Sequence, residues 1–205
     1  MFMEDKIELN LGLYIVPEEI KNGVCVDVGC NLGDFTNKYK NHFKKIVYFE
    51  PQKILFDKLQ NRFNSDEHIS GYNLAVWSES DIELELISHK NNDHGSVAIK
   101  SDNINSDWTD NIINKVKTIS LENILKLVNC KEIDYLKVDC ETSEYPLLLN
   151  KDISMFKYIG VELHHQMGVT KFNELLDWID KTHTLVYGDT TFTIDKNNEV
   201  LFKLR

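Results

Sequence analysis

The feature that most constrains this chain is the run Val24-Cys25-Val26-Asp27-Val28-Gly29-Cys30-Asn31-Leu32-Gly33-Asp34. A short apolar stretch, broken only by an aspartate, meets two glycines four residues apart. It then runs straight into helical spacing at Phe35 and Tyr39. An apolar strand without polar alternation is covered on both faces, as in the centre of a parallel sheet. Gly29 permits a tight turn there, and Gly33 lets the backbone approach a ligand. Amides at the start of the following helix can hold an anionic group. The spacing departs from the dinucleotide fingerprint, which needs glycine where Asn31 stands. A nicotinamide-dependent oxidoreductase is therefore disfavoured. A nucleoside with an amino-acid tail demands a less intimate approach than a pyrophosphate. Asp27, at the strand end, suits an amino or cationic ligand group better than a phosphate.

Apolar runs alternate with helical patterns along the rest of the chain, which predicts an α/β fold with a mostly parallel sheet. Lys45–Phe49 reads as a second strand. Pro51 opens a helix to about residue 62, with Leu55, Leu59 and Phe63 in one stripe. A third strand is expected at 69–76 and an alternating edge strand at 82–87. Residues 88–115, rich in Asn, Asp, Ser and His, read as a long irregular loop. A helix starting at Ser120, a fourth strand at 134–138, a short helix at 143–149, a fifth strand at 158–163 and a helix at 169–182 follow. Strand-like runs at 184–187, 191–194 and 200–204 have no helix between them, so at least one terminal strand should run antiparallel. The expected organisation is one domain over 1–205. It comprises a helical lead-in (1–23, with Pro17 opening a short helix), a cofactor-binding core (24–165) and a helix with a C-terminal hairpin (166–205).

Charge and cysteine usage narrow the ligand. The formal net charge of -10 and the scattered lysines disfavour nucleic acid as a partner. None of the four cysteines forms a C-x-x-C pair, which speaks against a zinc ribbon or a dithiol redox motif. The acidic opening MFMEDKIELN lacks a secretory core, and no apolar run reaches the length of a membrane span. The expected location is cytoplasmic. Oligomeric state cannot be read.

Glu50 closes the second strand about twenty residues after the glycine turn, where an acid accepts ribose hydroxyls in nucleotide-binding α/β folds. The segments VDVGCNLGDFT, YFEP, YNLAVW, DYLKVDCETSEYPLLL and IGVELH, in this order over about residues 24–165, resemble the FkbM-type methyltransferase family. That resemblance implies a Rossmann-like seven-stranded methyltransferase fold, S-adenosylmethionine as cofactor, and methylation of a hydroxyl oxygen. It places Asp27, Gly29, Asn31 and Gly33 along the methionine and ribose, and Glu50 on the ribose. Asn73 and Ala75 would lie by the adenine, with Val76 and Trp77 as neighbours, although Trp77 reads equally well as core. The family's D-x-E-G-A-E stretch is Asp139-Cys140-Glu141-Thr142-Ser143-Glu144 here. Thr142 replaces a glycine, which implies an altered turn or a reshaped substrate pocket. The irregular stretch holds His94-Gly95-Ser96-Val97, similar to a small-residue turn of the family, with Ser96 as a substrate contact.

Methyl transfer to a hydroxyl needs positioning and a proton acceptor. Candidates sit at strand ends: Asp139 and Glu141 after the fourth strand, Glu144 at the next helix start, and Glu162, His164 and His165 around the end of the fifth. His164 has the pKa range of a base near neutrality. Asp139 accepts a proton or orients the cofactor amine. Glu162 is a carboxylate in an apolar strand and needs a partner or a role. Glu141 and Glu144 are assigned to the substrate side, although an acid in a first helical turn is stabilising in any case. His164 and His165 point to opposite faces, so only one reaches the site. A divalent metal on these acids and His164 is a second reading. The spacing is not a recognised cage, so no metal is assigned. The expected acceptor is a small molecule or a glycan hydroxyl. The alternatives are N-methylation and a nucleoside-binding module without turnover. RNA methylation, which needs a basic groove and stacking aromatics, is weaker.

Overall fold

A computed structural model describes residues 15–89, 97–99 and 111–205. Strands β1 (Val24–Val28), β2 (Lys45–Phe49), β3 (Ile69–Tyr72), β8 (Ile133–Val138), β9 (Phe156–Leu163), β10 (His183–Tyr187) and β11 (Asn198–Leu204) form one sheet. Its order is β10-β11-β9-β8-β1-β2-β3. β11 runs antiparallel to both its neighbours, while the pairings from β9 to β3 are parallel. The expected mostly parallel sheet with an antiparallel C-terminal strand is thus the one observed.

Alternate residues of the central strands feed two cores. Val26, Val28, Val47 and Phe49 face α3 (Leu121–Val128), α4 (Glu144–Leu148) and α5 (Val169–Ile179). Cys25, Ile46 and Tyr48 face α1 (Asp34–Tyr39) and α2 (Lys53–Arg62), where Phe35 and Leu59 are buried. Both sheet faces are therefore covered, which explains why β1 and β2 read as continuous apolar runs.

Three elements differ from expectation. The third strand is divided: β3 stops at Tyr72, and β4 (Ala75–Val76) pairs with β7 (Asn111–Ile119) in a second sheet of order β4-β7-β5-β6. Asn73 makes the break. Its side-chain amide donates to the main-chain oxygens of Glu50 (2.9 Å) and Pro51 (2.8 Å), which draws the chain away from the first sheet. The strand expected at an edge over 82–87 is β5 (Glu83–His89), but it has neighbours on both sides, β7 and β6 (Val97–Ile99), which both lie wholly or partly in the stretch expected to be irregular. Finally, 191–194 is no strand. Thr193 makes one bridge with Lys196, and β11 begins at Asn198. Of the expected lead-in, residues 1–14 lie outside the described set, and a single 3-10 turn at Glu18–Ile20 follows Pro17.

Candidate active site

The strand order reverses at β1: β2 and β3 lie on one side, β8 and β9 on the other. Open α/β sheets bind ligands outside the carboxyl ends of the strands at such a point. Two hollows open there. One spans about 660 Å³, part of it open to solvent, and is lined by Gly29, Asn31, Glu50, Ala75, Asp139 and Glu141 among others. The other spans about 560 Å³, with Asp34, Lys137 and Asp139 in its wall. Gly29, Asn31 and Asp139 line both, so the two adjoin at these residues.

The turn after β1 has to be glycine at residue 29. Its φ is +73°, and a Cβ there would sit 1.7 Å from the main-chain oxygen of Asp139. Asn31 also lies in the left-handed region, at φ 52°, which asparagine tolerates better than most residues. That geometry aims the Asn31 amide at Glu50, whose Oε2 accepts it at 2.8 Å. The other oxygen, Oε1, accepts the Gln52 amide at 2.8 Å. Glu50 is only 3% exposed. Burial pushes its pKa up to about 7, against the pull of the Gln52 and Asn31 amides. Each oxygen keeps a further lone pair for a ligand hydroxyl.

Gly33 lines neither hollow. At φ +83°, its missing Cβ leaves room for Leu59 and Phe63, 2.6 and 2.9 Å from where a Cβ would stand. The absent Cβ thus serves the packing of α1 against α2. Asp27 also stands back from the cleft. It is fully buried and directly opposite Lys137 in the β1–β8 register. Its Oδ1 lies 3.1 Å from the Lys137 ammonium, an ion pair without hydrogen-bond alignment, and its Oδ2 accepts the Thr36 hydroxyl at 2.7 Å. The lysine donates to the Gly29 carbonyl at 2.7 Å and lies 3.6 Å from Asp139 Oδ2. Lys137 thus ties the glycine turn, the buried acid and the cleft acid together.

A second cluster forms where β8 and β9 end. Glu144, fully buried, accepts the Cys140 amide at 3.0 Å and lies 2.9 Å from Nδ1 of His164 through the same oxygen. Nε2 of His164 faces Glu141 at 3.4 Å and Glu162 at 4.0 Å. Burial alone would lower the pKa of this imidazole, but Glu144, Glu141 and Glu162 outweigh it and push the value up to about 10. The expected free base is therefore an imidazolium near neutrality in this arrangement. Burial, and then Asp139, raises the pKa of Glu162. Asn197 donates to Glu162 at 2.8 Å, and its oxygen lies 2.9 Å from Nδ1 of His165. Thr142 adopts φ 75° and Glu141 φ 51°, so the turn keeps a left-handed form suited to glycine despite the threonine.

Of the remaining expected residues, Ala75 and Val76 line the larger hollow together with Leu74 and Leu86. Asn73 is spent on the main chain, as described, and Trp77 lines neither hollow. Ser96 lies outside the described residues. Sequence reasoning missed Lys137 and Asn197. A lysine inside an apolar strand was the available signal for the first, since a buried ammonium needs a partner. Asn197 carries no such mark.

The strand order, the reversal at β1 and the cleft above it define an α/β protein of Rossmann-like methyltransferase fold. The profile described as the Methyltransferase FkbM domain matches residues 27–187, most of the chain, and the chain belongs to that family. Methyltransferase FkbM from Methylobacillus flagellatus KT is similar in structure, with a TM-score of 0.58 at 16% identity over 89% of this chain. This chain spans 43% of that protein's length. SMU.1697c from Streptococcus mutans, solved in complex with SAH, gives a TM-score of 0.53 at 9% identity, covering 92% of this chain and 93% of that one. A comparison with curated proteins finds no match.

Proposed function

We propose that this protein is an S-adenosylmethionine-dependent methyltransferase acting on a hydroxyl of a small molecule or a glycan. The observation that carries this reading is the buried carboxylate of Glu50, fixed by the Asn31 and Gln52 amides at the wall of the larger hollow. A carboxylate so held accepts both hydroxyls of a ribose. Leu74, Ala75, Val76 and Leu86 offer an apolar wall to a base. Asp139, at the junction of the two hollows, accepts an ammonium from an amino-acid tail in the smaller one. The bound cofactor supplies a methyl group on a sulfonium, and the chain supplies position. The hydroxyl proton passes to the carboxylate pair Glu141 and Glu162, while His164 holds the two acids in register. Membership of the FkbM family and the SAH found in the Streptococcus mutans protein support the cofactor. An amine acceptor is the second reading, favoured by the same carboxylates, which attract a cation.

Calorimetry with S-adenosylhomocysteine tests the reading. Replacing Glu50 with Ala removes charge-assisted hydrogen bonds and should weaken binding by roughly 10- to 100-fold. Equal affinity in the two proteins would reject the ribose assignment. Binding without turnover across hydroxyl and amine acceptors would instead favour a module that only senses the nucleoside.

A further inference from the structure

We propose that Asp139, Glu162 and His164 form a site for one divalent cation of the Mg²⁺ or Mn²⁺ class at the acceptor end of the cleft. One donor atom from each lies within 4.8 Å of the others. Donors that share such an ion at about 2.1 Å stand roughly 3 to 4.2 Å apart. The required closure is therefore below about 2 Å, and below about 1 Å for donors on opposite sides of the ion. Two carboxylates and one imidazole, with no thiolate, suit a hard or borderline ion.

The imidazole is the independent sign that a ligand belongs here. His164 is 2% exposed, and its Nδ1 is engaged by the buried Glu144. Nε2 faces Glu141 at 3.4 Å and Glu162 at 4.0 Å, and an ion bound there would take the place of its proton. A carboxylate–histidine pair of this kind orients the second ring nitrogen toward a metal. Asn197 likewise fixes one oxygen of Glu162 by a hydrogen bond, whereas Asp139 only faces the Lys137 ammonium at 3.6 Å through Oδ2. Two of the three donors are thus held by a residue that is not itself a donor. Four carboxylates, from Asp139, Glu141, Glu144 and Glu162, gather around this single ring. A dication that displaces the imidazolium proton brings one more positive charge to their centre than the proton did.

This inference rests on the methyltransferase reading for its purpose: the ion would hold the acceptor oxygen and lower the pKa of its proton. With the ion bound, Glu162 serves as a ligand, and Glu141 is the member of the carboxylate pair left to take that proton. The test reads the ion directly. Full-length protein freed of metals is titrated with MnCl₂ and followed by electron paramagnetic resonance. S-adenosylhomocysteine affinity is measured on the same samples, and a thermal melt confirms folding. We expect one saturable Mn²⁺ per chain. Glu162→Gln and His164→Gln should each weaken it at least about tenfold, and the surface variant Glu174→Gln should leave it unchanged. Absence of saturable Mn²⁺ binding in a protein that still binds S-adenosylhomocysteine overturns the cation site alone. Mn²⁺ binding that both site variants retain also overturns it. Site-dependent Mn²⁺ binding without S-adenosylhomocysteine binding upholds the cation site and removes the cofactor reading instead.

Discussion

At the scale of single residues, backbone conformation decides which side chains the site tolerates. Thr142 is β-branched yet sits at φ 75°, where a Cβ is disfavoured by roughly 1–2 kcal/mol. Thr142→Gly removes that cost and gives back part of it as extra freedom in the unfolded chain. The expected net gain is about 1 kcal/mol, or roughly 2–4 °C in melting temperature for a chain of this size. Calorimetric melting of the two proteins checks this, and a fall in melting temperature would show that the threonine side chain earns its place by contacts. Gly29 permits no such exchange, because the obstacle to a Cβ is main chain. The difference explains what could be read in advance. A required glycine and a strand-end acid such as Glu50 announce themselves. The reason for Gly33 does not, because Leu59 and Phe63 approach it from another helix.

At the scale of elements, the β1–β8 pair carries the most consequential polar contact. Asp27 and Lys137 face each other in register and are both almost wholly buried. Removing one partner of a buried pair strands the other charge and costs about 3–5 kcal/mol. Lys137→Met should therefore lower unfolding stability by that order in urea titrations. The double variant Asp27→Leu with Lys137→Met should recover at least about half, since an apolar replacement of both is often near neutral. Failure of the second change to recover anything would show that the lysine acts mainly through Gly29 and Asp139. The apolar runs of β1, β2, β8 and β9 were legible because both their faces are covered. The strand at Asn111–Ile119 was not, because its polar residues and its long-range partner β5 hide the pattern. Lys137 was overlooked for a related reason: its partner becomes visible only once β1 and β8 are set side by side.

Over the whole molecule, one buried acid sets folding against binding. Glu50 has a pKa of about 7 in the folded protein, above the ordinary 4.5. Between those values the folded chain binds more protons than the unfolded one, so the linkage slope is negative. The contribution is fully present below pH 4.5 and is lost as pH rises through 7. Its size is on the order of 3 kcal/mol. Ribose hydroxyls need the ionised form, so affinity moves the other way. Between pH 6 and 8 the dissociation constant for S-adenosylhomocysteine should fall, while the melting temperature of the free protein drops. Glu50→Gln should flatten both trends, and calorimetry across that range reads each. The gathering of Glu141, Glu144, Glu162 and His164 belongs to this scale too. Each was visible as a candidate, but their mutual distances depend on how the ends of β8 and β9 and the start of α4 meet.

The larger hollow draws its walls from two separate frameworks. Gly29, Glu50 and Asp139 come from the ends of the seven-stranded sheet, whereas Ala75, Val76 and Leu86 come from the four-stranded one. On the proposed reading the first framework holds the ribose and the second faces the base, so a substitution at Leu86 in β5 reshapes the base pocket without touching the strand that carries Glu50. Fit and assembly are set separately in such a layout, and the pocket can drift without the chain relearning how to fold.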